Sequence, residues 1–216
     1  MSKFIWKIQA LTYKRIRQNP LSRFFLNKEH KGILSLLDYL NINDKENSNQ
    51  INSLLDLGTG RGDILSLLKK NKTFSSNVNI VAVDNCDKML LYAKKDFSNV
   101  KFIQADVLNL PFKDSEFDLI FCVGLTEYIK LENLSLFLKN LKKILKKNGH
   151  IIISISKPNI LNRFRYLFGH KIYLINDLDF EDKVLGNNNY LKIDKKISTS
   201  LQVQYLVSHI QKKTNN

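Results

Sequence analysis

The run Ser53-Leu54-Leu55-Asp56-Leu57-Gly58-Thr59-Gly60-Arg61-Gly62-Asp63-Ile64 passes from an apolar segment through an acid and three alternating glycines into a helical pattern. That order predicts a strand, a tight loop and a helix. Glycines remove side chains, so a flat ligand can lie against the backbone. A dinucleotide site wants G-x-G-x-x-G, with the pyrophosphate on the helix N-terminus. Here the third glycine comes one residue early, and Asp63 stands where that fingerprint has its last glycine. An acid in the first helical turn satisfies the helix dipole and leaves less of it for a bound anion. Asp56 before the loop also suits a cationic ligand better than a diphosphate.

Later strands end in the same kind of residue. Val78 to Val83 is a β-branched run that stops at Asp84, and Val100 to Ala105 stops at Asp106. Glu116 to Val123 runs into Gly124. An acid at the tip of the second strand can accept from both ribose hydroxyls, and one at the third can accept from an adenine amino group. In an open α/β sheet, ligands bind at the carboxyl edge of the strands. S-adenosylmethionine (SAM), with an ammonium, a sulfonium and no phosphate, fits this acidic edge.

The chain resembles the class I SAM-dependent methyltransferases. The matching blocks are DLGTGRG (Asp56 to Gly62), VAVD (Val81 to Asp84) with DKML (Asp87 to Leu90), and QADVLNLPF (Gln104 to Phe112). FDLIFCVGLTEYI (Phe117 to Ile129) and LKKNGHIIISI (Leu145 to Ile155) complete the series. It looks most like the small-molecule branch that includes quinone-ring methyltransferases. The resemblance implies an α/β, Rossmann-like fold: a mostly parallel sheet with an antiparallel C-terminal strand and helices on both faces. It implies SAM as cofactor and direct SN2 transfer to a small-molecule or lipid-like acceptor. The alternatives are an RNA methyltransferase, or a non-catalytic methyltransferase-like subunit.

The expected cofactor residues are Asp56, Gly58, Gly60, Gly62, Asp84, Asn85, Met89, Asp106, Val107, Cys122 and Gly124. Each has a structural alternative. The glycines could only make a turn, Asp84 could start a helix, Asp106 could cap a turn, and Met89 and Val107 could be core. Cys122 sits between Phe121 and Val123, which reads as a core cysteine bordering the site rather than a nucleophile. The resemblance places the loop after the fourth strand beside the transferred methyl, so Glu127 and Tyr128 are the candidate catalytic residues. Tyr13 and His30 are further candidates for a base or for acceptor positioning. Arg163, Arg165 and His170 could hold an acidic acceptor group or form a solvated basic face. A general base is needed only for an acceptor that enters protonated.

A chain of 216 residues fits one domain with a full core. Its two cysteines, Cys86 and Cys122, imply no disulfide framework and point to a reducing compartment, the cytoplasm. No Cys/His spacing suggests a metal. The start lacks a signal-peptide pattern, and no apolar run is long enough for a bilayer span. The net charge is +14 and is spread along the chain, as expected of a Lys-, Asn- and Ile-rich composition. Residues 1–28, however, hold Lys3, Lys7, Lys14, Arg15, Arg17, Arg23 and Lys28 with no acid. On a helix, Phe4, Ile5, Ile8, Leu11 and Ile16 share one face, flanked by Trp6 and Tyr13. That pattern fits a cap over the active-site edge, or a helix lying peripherally on an anionic membrane. The expected division is therefore a cap segment, 1–26, and a methyltransferase domain, 27–216. Pro20 should separate the first helix from the next, with Asn27 as N-cap. Helices are also expected at Gly62 to Lys70, Asp87 to Lys95, Asn133 to Lys147, Pro158 to His170 and Asn176 to Leu185. A strand is expected from His150 to Ser156. Two more, Tyr190 to Ile197 and Leu201 to Ile210, are expected to pair across Ser198-Thr199-Ser200.

Overall fold

A computed structural model describes residues 3–40, 51–167, 172–186 and 191–209. The polar, acid-tipped stretch 41–52 reads as a loop in the sequence and lies outside the described residues except for Ile51 and Asn52. Among the described residues, seven strands form one sheet: β1 (Ser53–Leu57), β2 (Asn79–Asp84), β3 (Val100–Gln104), β4 (Phe117–Cys122), β5 (Leu145–Ser156), β6 (Leu191–Ser198) and β7 (Gln202–His209). Their order is β3-β2-β1-β4-β5-β7-β6. The first five run parallel, and β7 is antiparallel to both neighbours, so it alone runs against the rest. The order reverses at β1, leading to β2 on one side and β4 on the other, which puts the glycine loop at the switch point.

Around the sheet lie α1 (Lys3–Gln18), α2 (Pro20–Tyr39), α3 (Asp63–Asn71), α4 (Asp87–Asp96), α5 (Leu131–Ile144), α6 (Ile160–Leu167) and α7 (Asp177–Leu185). One sheet face, with Leu54, Leu119, Phe121, Ile152 and Leu206, packs on Ile33, Leu36 and Leu37 of α2 and on Leu67 and Leu68 of α3. The opposite face, with Leu55, Val81, Ile120 and Ile153, packs on Phe137 and Leu141 of α5 and on Phe180 of α7. Both faces are covered, so the central strands read as apolar runs rather than alternations.

Three expectations are corrected. Helix α2 starts at Pro20, not after Asn27: Asn19 is the N-cap and its side chain accepts from Leu21 N–H at 3.0 Å. Pro at the first helical position lacks only an N–H that would be unsatisfied there anyway. The boundary expected at 26/27 thus falls inside a continuous helix. The second correction concerns 145–149, expected as a helix end and found as strand. The carbonyls of Lys143 and Ile144 accept from Ser115 and Glu116 N–H at 2.9 and 2.8 Å, and Leu145 pairs with Phe117. This long-range pairing overrides the helical spacing of the leucines. The third is small: α3 begins at Asp63, because Gly62 has φ 86° and stands outside the helix. The expected helix at 158–170 is described as Ile160–Leu167. His170, Tyr190 and Ile210 lie outside the described residues.

The Gly62 conformation gives a testable cost. A Cβ there would approach Phe97 Cε2 to 2.6 Å, on a backbone that L-residues rarely adopt. The ring can give way, but the left-handed strain cannot. Gly62→Ala is expected to lower unfolding free energy by about 1–2 kcal/mol in urea melts.

Candidate active site

The carboxyl edge of β1, β2 and β4 gathers most of the residues singled out in the sequence. Gly58 and Thr59 N–H both donate to Val83 O, at 2.8 and 3.0 Å, which folds the loop back over β2. Gly58, Gly60 and Gly62 all have positive φ. A Cβ built on Gly60 meets nothing within 4 Å, so open space lies over the middle of the loop. Asp84 closes the same loop from below. Its Oδ2 accepts from Gly60 N–H at 2.9 Å and its Oδ1 from Cys86 N–H at 2.8 Å. Burial pushes the Asp84 carboxyl above its usual range, and these backbone donors oppose the shift.

Asp56, one residue before the end of β1, is fully buried, with Oδ2 lacking any hydrogen-bond partner. Burial pushes its carboxyl up to about 7; the neighbouring Thr59 hydroxyl opposes the rise, and the nearby Asp63 and Asp84 carboxylates add to it. A buried carboxylate oxygen without a partner is costly and marks a place for a donor or a cation.

The other expected residues are placed differently. Met89 is buried against Ala10 of α1 and Cys86, with Tyr13 and Tyr92 packed around them, so its side chain fills the α1–α4 contact. Asp106 is exposed; its Oδ1 caps a turn by accepting from Leu108 N–H at 2.9 Å. Val107 packs partly on the core, and Asn85 is exposed with its carbonyl accepting from Gln104 Nε2 at 3.1 Å. Cys122 is buried in the core, and burial pushes its thiol well up, which keeps it a neutral thiol. Gly124 has φ 68° and donates to Ser154 Oγ at 2.9 Å.

Glu127 and Tyr128 form a 3-10 turn with Thr126. Glu127 is buried and its carboxylate accepts from Ser156 Oγ of β5, while its carbonyl accepts from Tyr173 N–H at 2.7 Å. It therefore ties the loop to the sheet. Tyr128 is half-buried on the same turn. His30 has a buried Nε2 without a partner, and burial lowers its pKa. Arg163 is exposed, and the side chain of Arg165 is outside what the structure describes.

Sequence reading missed how α1 is attached. Tyr13 OH donates to Asp63 Oδ2 at 2.6 Å, Arg17 Nη2 pairs with the same oxygen at 2.9 Å, and Arg61 Nη1 reaches Ala10 O at 3.4 Å. Arg61 also stacks over Tyr92 of α4 at 4.2 Å. Burial pushes the Tyr13 phenol up, so it remains a donor to Asp63. Thus α1 lies beside the glycine loop and α4. Also missed was a polar layer at the far end of the site: Ser154, Ser156 and Gln202. The signal was present, since serines alternate in Ile151-Ile152-Ile153-Ser154-Ile155-Ser156. Gln202 pairs directly with Ser156 across the strands, and its buried Oε1 has no partner.

Residues 55–153 match the family model described as a methyltransferase domain. The chain is 33% identical over 112 residues to a demethylmenaquinone methyltransferase of Thermotoga maritima, covering 51% of this chain and 46% of that protein. It is 31% identical over 147 residues to a ubiquinone/menaquinone biosynthesis C-methyltransferase of Rickettsia prowazekii, covering 63% and 56%. The chain therefore spans about half the length of the curated relatives it matches. A solved magnesium protoporphyrin IX methyltransferase from Synechocystis, with bound S-adenosylhomocysteine, superposes with a TM-score of 0.72 at 15% identity, covering 96% of this chain and 100% of that one. That likeness extends the fold from the matched segment to nearly the whole chain: residues 55–153 match a methyltransferase domain, and the chain around them has the fold of a solved methyltransferase.

Proposed function

We propose that this protein transfers a methyl group from SAM to a small-molecule or lipid-like acceptor by direct SN2 displacement. The observation that carries the reading is the pairing of a fully buried, unpartnered Asp56 Oδ2 with open space over Gly60, inside the methyltransferase domain. Asp56 is placed to take an ammonium. Each Asp84 oxygen spends one lone pair on a backbone N–H, and a carboxylate oxygen has another for a ribose hydroxyl. Asp106 leaves one oxygen beyond its turn cap for an adenine amino group, beside the Val107 N–H. Gly58, Gly60 and Gly62 let the backbone approach the cofactor, with Asn85, Cys122 and Gly124 bordering it and Met89 backing the site from the α1–α4 contact. Bound SAM supplies a methyl group already activated on a sulfonium. The chain's own task is to align the acceptor and exclude water.

On the acceptor side, Tyr128 is the residue we assign to touch substrate, and Glu127 acts through the loop it anchors to Ser156. Residues 1–18 serve as a cap, because the described inward residues of α1, Ala10, Tyr13 and Arg17, are already committed to the site wall. This use weakens the reading of the whole segment 1–26 as a free membrane helix. No described helix is long and apolar enough to cross a membrane. An acceptor of the RNA class is disfavoured by the small-molecule substrates in the names of the similar proteins.

Calorimetry tests the cofactor. SAM and S-adenosylhomocysteine should bind and NAD should not; tight NAD binding without SAM binding would sink the reading. A second expectation follows from Asp56. With its pKa near 7, the carboxyl is largely protonated below that pH in the free protein. An arriving ammonium favours the carboxylate and lowers that pKa, so SAM binding should expel a proton between about pH 5 and 7. The observed binding enthalpy should then vary with buffer ionisation enthalpy at pH 6, and this variation should vanish in Asp56→Asn.

A further inference from the structure

Two acid-free stretches, far apart in sequence, both reach the β6–β7 turn. Residues 1–28 contain no Asp or Glu, and neither do residues 157–176. Lys28 Nζ of α2 donates to Ser200 Oγ at 3.3 Å, and Asn159 Nδ2, at the start of α6, donates to Ser200 O at 3.0 Å. Lys157 Nζ reaches Thr199 O at 2.5 Å, and Asn162 Nδ2 reaches Leu201 O at 2.8 Å. The turn therefore holds α2 and α6 on either flank. The first acid after the N-terminal run, Glu29, is buried and accepts from Thr199 Oγ1 at 2.7 Å, so it adds no exposed negative charge.

Both flanks present large apolar side chains to water. Leu21 is 65% exposed and Phe24 53% on α2; Ile160 is 69% exposed and Leu161 46% on α6. Leu21, Phe24 and Lys28 fall three and four residues apart, which is one helix face, and Lys28 Nζ lies 4.4 Å over the Phe24 ring. Arg23 and Arg163 are exposed beside these residues in sequence. Exposed apolar groups within a basic rim are the pattern of a surface that enters the headgroup region of an anionic bilayer. The patch also adjoins the active site. Gln202, two residues beyond Ser200, brings its Nε2 to 3.9 Å from where a Cβ on Gly124 would stand.

We infer that the α2–α6 face around Ser200 docks on an anionic lipid surface, with Leu21, Phe24, Ile160 and Leu161 inserted among the headgroups and the flanking arginines on phosphate and carboxylate groups. The inference deepens the proposed function by naming a bilayer as the place where a lipid-like acceptor is met, and it rests on that reading for its purpose. A nucleic-acid surface uses the same charge, but three of the four exposed side chains have neither a hydrogen-bonding group nor a ring to stack on a base.

Vesicle sedimentation tests it. The full chain should sediment with phosphatidylcholine vesicles containing about 30 mol% phosphatidylserine and stay in solution with phosphatidylcholine alone, at roughly 0.1 M salt. Leu21→Ser/Phe24→Ser, Ile160→Ser/Leu161→Ser and Arg23→Glu/Arg163→Glu should each cut the bound fraction about fivefold or more. These side chains are exposed, so SAM affinity measured on the same samples should be unchanged. Absence of sedimentation with the anionic vesicles overturns the inference, as does equal sedimentation of wild type and all three variants. Binding of single-stranded RNA that the same variants abolish, with no vesicle binding, overturns it in favour of nucleic acid. A protein that binds vesicles but not SAM leaves the docking surface standing and defeats the methyltransferase reading instead.

Discussion

Asp84→Ala is expected to weaken SAM binding by roughly a hundredfold or more, the largest effect of any single substitution at the site. Charge-assisted hydrogen bonds are worth about 1.5–3 kcal/mol each, and two ribose hydroxyls meet this carboxylate in the proposed complex. The structure adds a second loss. Asp84 already accepts from Gly60 and Cys86 N–H, so alanine leaves both donors without their partner and releases the middle of the glycine loop. Asp84→Asn separates the two contributions. Its amide oxygen can hold one backbone N–H, but its NH₂ faces the other donor, so affinity should fall to an intermediate level. Stability has an opposite component. Burial raises the folded-state pKa of Asp84 above its unfolded value, so the charged carboxylate is disfavoured in the fold. A raised carboxyl contributes stability at low pH that declines as pH rises through the shifted value. Circular dichroism should therefore show Asp84→Ala folded at neutral pH while calorimetry shows the lost affinity. Unchanged SAM affinity would reduce Asp84 to a loop-holding role.

The sheet and the glycine loop were legible because local and long-range preferences agree there. Leu54 to Leu57, Val81 to Val83 and Ile151 to Ile153 are buried runs suited to covered strands, and the first two stop at Gly58 and Asp84, at the carboxyl edge of the sheet. Residues 145–149 were not legible, because the leucine spacing that suits α5 continues past Ile144 while the register with Phe117 is set by a partner almost thirty residues away. The start of α2 was missed for a related reason. Pro20 was read as a break, and it is also a favoured first helical residue after an Asn cap. Side-chain direction was the least legible feature. Glu127 sits on the expected loop, yet its carboxylate turns to Ser156, and Met89 lies on the expected helix, yet it packs on Ala10. Sequence places such residues on an element, but their neighbours in space decide which way they face.

Deleting residues 1–18 should slow methyl transfer and hasten SAM release far more than it destabilises the fold. The deletion follows the Asn19 boundary, so α2 keeps its cap and its packing on the sheet. Among the described residues, what is lost is local: the Ala10 contacts with Cys86, Met89 and Arg61, and the Tyr13 and Arg17 bonds to Asp63. The Arg17–Asp63 pair is partly exposed, with 40% and 28% of the two side chains accessible, so its own contribution to stability is small. Its position matters more. Asp63 opens α3 directly after Gly62, and α1 fastened there lies beside the glycine loop and α4, where the proposed cap would cover the loop's mouth. Removing that cover leaves the cofactor edge open to water, and a wetter, less enclosed site both releases ligand faster and screens its charges more strongly. The truncated protein should unfold cooperatively within a few degrees of the full chain, while its SAM dissociation rate rises by about tenfold. Arg17→Ala with Tyr13→Phe should reproduce part of that rise, since both substitutions free α1 from Asp63 without removing it. An unchanged dissociation rate in the truncated protein would show that α1 is a wall of the fold and not a cover for the cofactor. A collapse in cooperativity would show instead that the contacts of Ala10 and Tyr13 hold α4 against the sheet.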